Sequence, residues 1–339
     1  MINKNEFFEL VNRYPSPHNG QPMRLKTLDN NTYEVYFQKE RGLQSTGVSL
    51  IFSFVTVGLF FEYLHQSGRA LGHSVQAEVN LPEISKLKGT GLIRCGLVKI
   101  DWNTSSPDKQ YKQALLFRQT SRKKYHAPLS KEAIIGIESC IPTNMSLIQL
   151  DKKQAHDAIW LNQRAVFDDM FNEPVRKELD HWLRYSKKKI IQTKDGLAYD
   201  CMELNGTLMK FITNHPSFLR MPILKTLIKQ YYLRTMKDNS CVFYIMAPFK
   251  TAQDSFGVGS AIMKIWLKIA ENGDYLHPFG TIISNKKAHQ DFLNLVGKHN
   301  ESKEESYLVF IFRAGQSKKP AQSLRKPWQE HLVINGETK

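Results

Sequence analysis

The sequence predicts an α+β fold built from two related halves, and three observations lead there. Hydrophobic residues make up 41% of the 339, enough for a proper core and too many for a disordered chain. Two apolar helical segments end at glycines with the same spacing. Gly58 and Gly72 bracket "GLFFEYLHQSGRALG", and Gly259 and Gly273 bracket "GSAIMKIWLKIAENG". Each is then followed by two short strand patterns, as a duplicated unit requires.

The elements follow in order. "FFELVNRYPSPHNGQPMRLKTL" reads helix, loop, strand, and "EAIIGIESCIPTNMSLIQL" (Glu132 to Leu150) reads the same way. The uncharged stretch "GVSLIFSFVTVGLFF" (Gly47 to Phe61) is too short for a membrane span of about 20 apolar residues, so it is expected as a helix buried in the protein. "HSVQAEV" (His73 to Val79) and "FGTII" (Phe279 to Ile283) are the strand candidates after the two helices. "LIRCGLVKI" (Leu92 to Ile100) and "YLVFIFRAG" (Tyr307 to Gly315) are the closing strands. The order helix, loop, strand, buried helix, strand, strand thus occurs twice. The second copy carries an insertion from Lys152 to about Ser240, expected as one or two amphipathic helices over the outside of the core. The halves are bounded at 1–108 and 109–330, with a tail at 331–339. Such a duplication implies a dimer fused into one chain, its buried helices meeting near the axis.

Charge narrows the partners. Lys and Arg number 47 against 32 acids, a balance of +15 that favours phosphate groups, nucleic acid or a membrane surface. Cys95, Cys140, Cys201 and Cys241 form no C-x-x-C and are expected as reduced thiols. "MINKNEFFEL" lacks the apolar core of a signal peptide, and a cytoplasmic location is expected.

Three stretches hold candidate chemistry. In "SPHNGQPMRL" (Ser16 to Leu25), crowded turn formers precede a strand; it is either a plain polar turn or a loop whose amides grip a ligand. In "FRQTSRKKYHAPLS" (Phe117 to Ser130), Arg118 and Arg122 are four apart around Thr120 and Ser121. On a helix end they would share a face and suit a phosphate; a solvated basic helix end is the alternative. "FRAGQSKKPAQSLRKPW" (Phe312 to Trp328) carries Arg313, Ser323 and Arg325. It reads as a nucleic-acid tail, a solvated tail or a clamp returning over the core.

Together these stretches resemble the nitroreductase superfamily of FMN-binding oxidoreductases, most closely its duplicated, single-chain branch typified by Acg-like proteins. His18-Asn19-Gly20-Gln21-Pro22 resembles that branch's H-N-x-Q-P-W loop. Arg118-Gln119-Thr120-Ser121-Arg122 resembles R-x-T-N-R-R, and Pro320-Ala321-Gln322-Ser323-Leu324-Arg325 resembles P-x-x-S-x-R. The sequence departs from the pattern where Met23 replaces Trp, Ser121 replaces Asn and Lys123 replaces the second paired Arg.

The resemblance implies a nitroreductase-like fold, two degenerate halves each with a mixed sheet flanked by helices. The first half has the loop but no Arg pair, and the second has the Arg pair but no Gln-Pro. One FMN between the halves is therefore implied. Arg118 and Arg122 would neutralise its phosphate and reach the flavin's polar edge, with Thr120 and Ser121 adding hydrogen bonds. Arg325 and Ser323 would close over the phosphate, and Arg313 belongs to the same cofactor-binding set. Ser16, Pro17, His18 and Asn19 would approach from the other half, while Gln21, included in the site, would hold the loop's shape with Pro22. The turn "SFGVG", opening a helix, would offer an N–H from Gly257 or Gly259. The implied activity is hydride transfer from NAD(P)H through FMN to a nitro compound, quinone or similar small molecule. No catalytic acid or base is required of a side chain. The alternative is a flavin-binding or flavin-sequestering protein with no nicotinamide-driven turnover. A third possibility is an interaction protein that kept the fold and lost flavin.

Other signals are set aside. "GVGSAI" lacks the strand directly ahead that a dinucleotide fingerprint needs. Asp168 and Asp169 are adjacent and diverge on a helix. The eleven His show no metal-binding spacing. No nucleic-acid motif accompanies the basic runs. No metal, nucleic acid or membrane partner is expected, and the internal pseudo-dimer makes a monomer the expected state.

Overall fold

The computed structural model describes residues 4–43, 50–236, 240–298, 305–334 and 337–338. Parts of three expected segments, 47–49, 237–239 and the tail positions 335, 336 and 339, lie outside the described residues. The architecture is α+β with two main antiparallel sheets and, among the described residues, two further pairs of two-residue strands, one of them parallel.

The first sheet follows helix α1 (Lys4–Val11). It contains β1 (Met23–Thr27), β2 (Thr32–Gln38), β3 (Ser74–Val79) and β4 (Leu92–Asp101), with helix α2 (Phe52–Leu71) between β2 and β3. Its strand order is β1–β2–β4–β3, every pair antiparallel.

Helix α3 (Lys109–Phe117), β5 (Tyr125–Ala127) and α4 (Lys131–Glu138) lead into the second sheet at β6 (Ser146–Gln149). The insertion follows. It comprises α5 (Lys152–Phe171), α6 (Glu173–Trp182), β7 (Leu183–Arg184), α7 (Lys187–Thr193), β8 (Leu197–Ala198), α8 (Gly206–Asn214) and α9 (Pro222–Met236). Five helices replace the expected one or two, because Pro174, the Arg184 turn, Pro216 and Pro222 each interrupt the helical run.

The sheet resumes with β9 (Cys241–Ala247), followed by α10 (Ala252–Glu271), β10 (Tyr275–Pro278), α11 (Gly280–Ser284), α12 (Lys286–Leu295) and β11 (Tyr307–Ser317). A two-residue pair, β12 (Val333–Ile334) with β13 (Glu337–Thr338), comes last. The second sheet reads β6–β9–β11–β10, all antiparallel, with β5 added along the end of β11.

The strand order is therefore the same in both sheets, and each has one strand more than the expected order, β2 or β9, between its first strand and its buried helix. In β2 that strand was readable as strict alternation, with Tyr33, Val35 and Phe37 turned inward. The strand expected at Phe279 to Ile283 is instead a short helix, and the strand is Tyr275–Pro278. It starts two residues after Gly273, just as β3 starts two residues after Gly72. Both glycines end their helices with left-handed φ, +74° and +75°.

The centre of the molecule is the crossing of α2 and α10. A Cβ on Gly58 would lie 2.1 Å from the Phe256 carbonyl oxygen, and one on Gly259 would lie 2.1 Å from that of Val55. The two glycines let the helix backbones touch, and one continuous apolar core grows outward from that contact into both sheets.

The sheets differ on their outer faces. The first presents Glu34, paired with Lys26 and Arg94, to solvent. The second is covered: Val242, Tyr244 and Met246 of β9 pack with Ala158, Ile159 and Leu161 of α5 and with Leu233 and Met236 of α9. Every residue of β9 is buried, as its unbroken apolar run demands.

Candidate functional site

The loop between α1 and β1 is held in an unusual backbone. His18, Asn19 and Gln21 all have φ between +51° and +52°, a left-handed region that side chains other than glycine enter at a cost of about 1–2 kcal/mol each. Hydrogen bonds hold it there. Gln21, fully buried, donates from Nε2 to Asn19 O at 3.2 Å and to Lys194 O at 3.0 Å, and its Oε1 accepts from Lys326 N at 3.1 Å. Its backbone N–H donates to Ser16 Oγ at 3.0 Å. Asn19 Nδ2 donates to Leu324 O at 3.0 Å. Arg24 donates to the carbonyls of Gln21 and Met23, and its Nη1 lies 2.7 Å from His331 Nδ1. Burial and the Arg24 charge push the His331 pKa down to about 2, so that ring is neutral.

The insertion clasps the same loop from outside. Asp195 accepts from Arg184 and Arg41, each at 2.6 Å, and Arg41 Nε donates to Gly20 O at 2.6 Å. Burial alone would raise the Asp195 pKa; the two guanidinium hydrogen bonds outweigh it and hold the pKa below the usual carboxylate value.

Opposite this loop stand two groups of arginines. Arg118 is buried, donates to Arg13 O at 2.9 Å, and lies over the rings of Tyr63 (5.8 Å) and Trp266 (4.9 Å). Arg325 donates to Asn12 O at 3.0 Å and lies over Tyr14 at 5.7 Å. Burial, reinforced by Arg118, lowers the Arg325 pKa to about 10. The second group holds Arg122, which donates to Cys201 O at 3.2 Å, and Arg313. The latter is fully buried over Tyr125 at 4.5 Å, donates to His277 Nδ1 at 3.2 Å and to Lys123 O at 3.0 Å. His18 faces this group: burial, then the Arg122 charge, lowers its pKa to about 4. His277 is driven well below the ordinary value by burial, Arg313 and Arg122.

Residues Ser323 to Arg325 join the groups. Ser323 Oγ donates to Cys201 Sγ at 3.4 Å beside Arg122, Leu324 O takes Asn19, and Arg325 stands by Arg118. The structure thus gathers His18, Asn19, Arg118, Arg122, Arg313, Ser323 and Arg325, residues drawn from all three candidate stretches.

Other expected site residues have different employment. Arg118 and Arg122 do not share a helix face: α3 ends at Phe117, Arg118 is already non-helical (ψ 112°), and the two side chains reach different partners. Thr120 pairs with Leu276 as an isolated bridge. Ser121, fully buried, shares a 2.7 Å hydroxyl hydrogen bond with Ser317. Ser16 and Pro17 shape the loop and its 3₁₀ turn. "SFGVG" is not a turn: Ser255 to Gly259 lie inside α10, which starts at Ala252 behind a Thr251 capping box, and Gly259 faces α2 rather than a ligand. The insertion's Lys194, Asp195 and Cys201, together with Arg13, Tyr14, Tyr63 and His277, were not anticipated, since no local motif marks them.

The electrostatics lean one way. The groups that act most on Arg118, Arg122 and Arg325 are other arginines, tyrosines and Cys201, and the neighbouring carboxylates of Asp200 and Glu203 accept from Cys201 N and Lys123. Buried atoms without a hydrogen-bond partner there include His18 Nδ1, Asn19 Oδ1, Arg118 Nε and Gln119 Oε1. Guanidinium groups cannot shed their charge, and burying them without an opposite charge is costly. The arrangement therefore suits an anion that also offers hydrogen-bond donors and acceptors. Among the described residues no cluster suits a metal ion, and no helix is long and apolar enough to cross a membrane. The four cysteines are free thiols. No protein-family model matches this chain, and no curated protein matches it.

Proposed function

We propose that this chain binds FMN between its N-terminal loop and the two arginine groups, and acts as an NAD(P)H-dependent oxidoreductase of nitroreductase type. The observation that carries the reading is the burial of three arginines about the His18–Asn19 loop, Arg122 acting on His18, Arg325 following the Leu324 carbonyl that takes Asn19, and Arg118 beside Arg325, with none of them in a salt bridge among the described residues. A phosphate supplies the missing charge. The orphaned donors and acceptors of His18, Asn19, Arg118 and Gln119 fit the polar edge of an isoalloxazine. The shared strand order and the Gly58–Gly259 crossing support the accompanying proposal of a nitroreductase-like pseudo-dimer with one surviving site.

Bound FMN would supply the chemistry, taking a hydride from NAD(P)H and reducing a nitro compound, quinone or similar acceptor. The chain's residues bind and orient. Arg118, Arg122 and Arg325 balance charge, and neutral His18 and Asn19 give directional hydrogen bonds. Gln21 and Asp195 lock the loop that presents them, while Ser121 and Gln21 themselves stay committed to protein partners. The second reading, flavin storage without turnover, is favoured by one observation: Cys201 of the insertion touches both Ala321 and Ser323 while its carbonyl takes Arg122, so the insertion closes against the C-terminal segment at the arginines.

Titration with FMN, followed by absorbance before and after NADPH, tests both. Tight binding with bleaching on NADPH is expected. Each charge-assisted hydrogen bond carries about 1.5–3 kcal/mol, so Arg118→Ala/Arg122→Ala should weaken FMN binding by about 100-fold or more. Flavin that binds without being reduced selects storage, and a wild-type chain that rejects added FMN ends the flavin account.

A further inference from the structure

The insertion carries a surface unlike the rest of the molecule. Along α8, the turn Pro216–Arg220 and α9, six large apolar side chains stand exposed: Leu208, Phe211, Phe218, Met221, Ile223 and Leu227, from 39% to 77% accessible. Their arrangement is ordered. Ile223 and Leu227 are four apart and share one face of α9, whereas Ile228, Leu233 and Met236 pack inward. The rings of Phe211 and Phe218 lie 4.9 Å apart, binding α8 to the turn.

Charge on this surface has one sign. From Asn205 to Met236 the sequence contains no Asp or Glu and five cations: Lys210, Arg220, Lys225, Lys229 and Arg234. Two of them lie against aromatic rings, Arg220 over Phe171 at 5.1 Å and Lys229 over Trp160 at 4.0 Å. The neighbouring α6, by contrast, carries Glu173, Glu178 and Asp180.

An apolar patch of this kind marks an interaction surface. A second copy of the chain is a poor occupant, because a two-fold contact through this face would set Lys210, Lys225 and Arg234 against their own counterparts with no acid from Asn205 to Met236 to answer them. An anionic bilayer surface meets both features: phosphate headgroups answer the Lys and Arg side chains, and the headgroup–acyl boundary takes the apolar ones. We propose that the α8–α9 face docks this protein peripherally on an anionic lipid membrane, with Phe211, Phe218, Ile223 and Leu227 entering the interface. The expectation of no membrane partner, drawn from the want of an apolar span, does not reach this surface. The inference is independent of the flavin reading.

Flotation of the full chain tests it, with vesicles of about seven parts phosphatidylcholine to three parts phosphatidylglycerol against pure phosphatidylcholine. The chain should float with the anionic vesicles at least about tenfold more than with neutral ones, and less as salt shortens the Debye length. Ile223→Glu/Leu227→Glu should abolish flotation while circular dichroism and thermal midpoint stay unchanged, since both side chains are exposed. Lys210→Glu/Lys225→Glu should lower it about tenfold. A folded chain that ignores anionic vesicles, or binds neutral ones equally, overturns the proposal. So does a dimer in sedimentation velocity that Ile223→Glu/Leu227→Glu converts to monomer.

Discussion

The two main sheets share one order over four strands and differ in what lies against their outer faces. The first shows solvent a charged face around Glu34, and its β2 alternates; the second is covered by the insertion, and its β9 is apolar throughout. The connections ahead of them differ more sharply. Before β1, the loop Ser16–Pro22 holds three left-handed residues and is fastened by Gln21, Arg24 and Arg41. Before β6, the corresponding stretch Ser139–Met145 closes with ordinary local turns, and Thr143 and Asn144 are exposed. A frame that repeats needs only packing. A strained loop persists in one place because many bonds over-determine it.

The shared part of this comparison can be broken first. Gly58→Leu and Gly259→Leu should each destabilise by about 3 kcal/mol or more, because a side chain at either position meets the opposite helix's backbone. Thermal unfolding measures both; tolerance of one and not the other would show that the crossing is not equivalent from its two sides. The difference between the loops comes next. Gln21→Ala should cost about 2–3 kcal/mol through the buried groups it leaves unpaired, against about 0.5 kcal/mol or less for Asn144→Ala, both read from urea unfolding.

The smallest expected effect is on pH dependence. His18 titrates near pH 4 when folded, because of burial and Arg122, whereas an unfolded histidine titrates near about 6.5. Below that pH the unfolded chain takes up a proton that the folded chain refuses. The part of the stability that His18 governs is therefore whole above about pH 6.5 and falls on acidification at about 1.4 kcal/mol per unit, levelling near its folded pKa, in addition to the losses from His277 and His331. His18→Gln should remove about 1 kcal/mol of the loss over the first unit. An unchanged slope would place His18 outside the buried arginine field.

Much of the frame was legible in the sequence because it depends on local patterns. Gly72 and Gly273 announced helix ends, and "LIRCGLVKI" and "YLVFIFRAG" announced closing strands. Phe279 to Ile283 misled, since a short apolar run fits helix and strand alike and the strand had already formed at Tyr275–Pro278. "SFGVG" looked like a turn because glycines were read for their freedom, when Gly259 serves close helix contact. The stretches that hold His18, Arg118, Arg122 and Arg325 were picked out by their residues, while the separation of Arg118 from Arg122 was not, because it follows from α3 ending at Phe117. The contributions of Asp195, Cys201 and His277 were not, because they arise where distant segments meet and leave no spacing to read.

Asn19 and Gln21 reach their partners Leu324 and Lys326 across 305 positions of chain. During synthesis on the ribosome, the opening loop therefore emerges early and must wait for residues translated at the far side of both sheets before it can set. A segment made before both sheets is finished after them, and a polypeptide stalled before Leu324 would carry its loop unfastened.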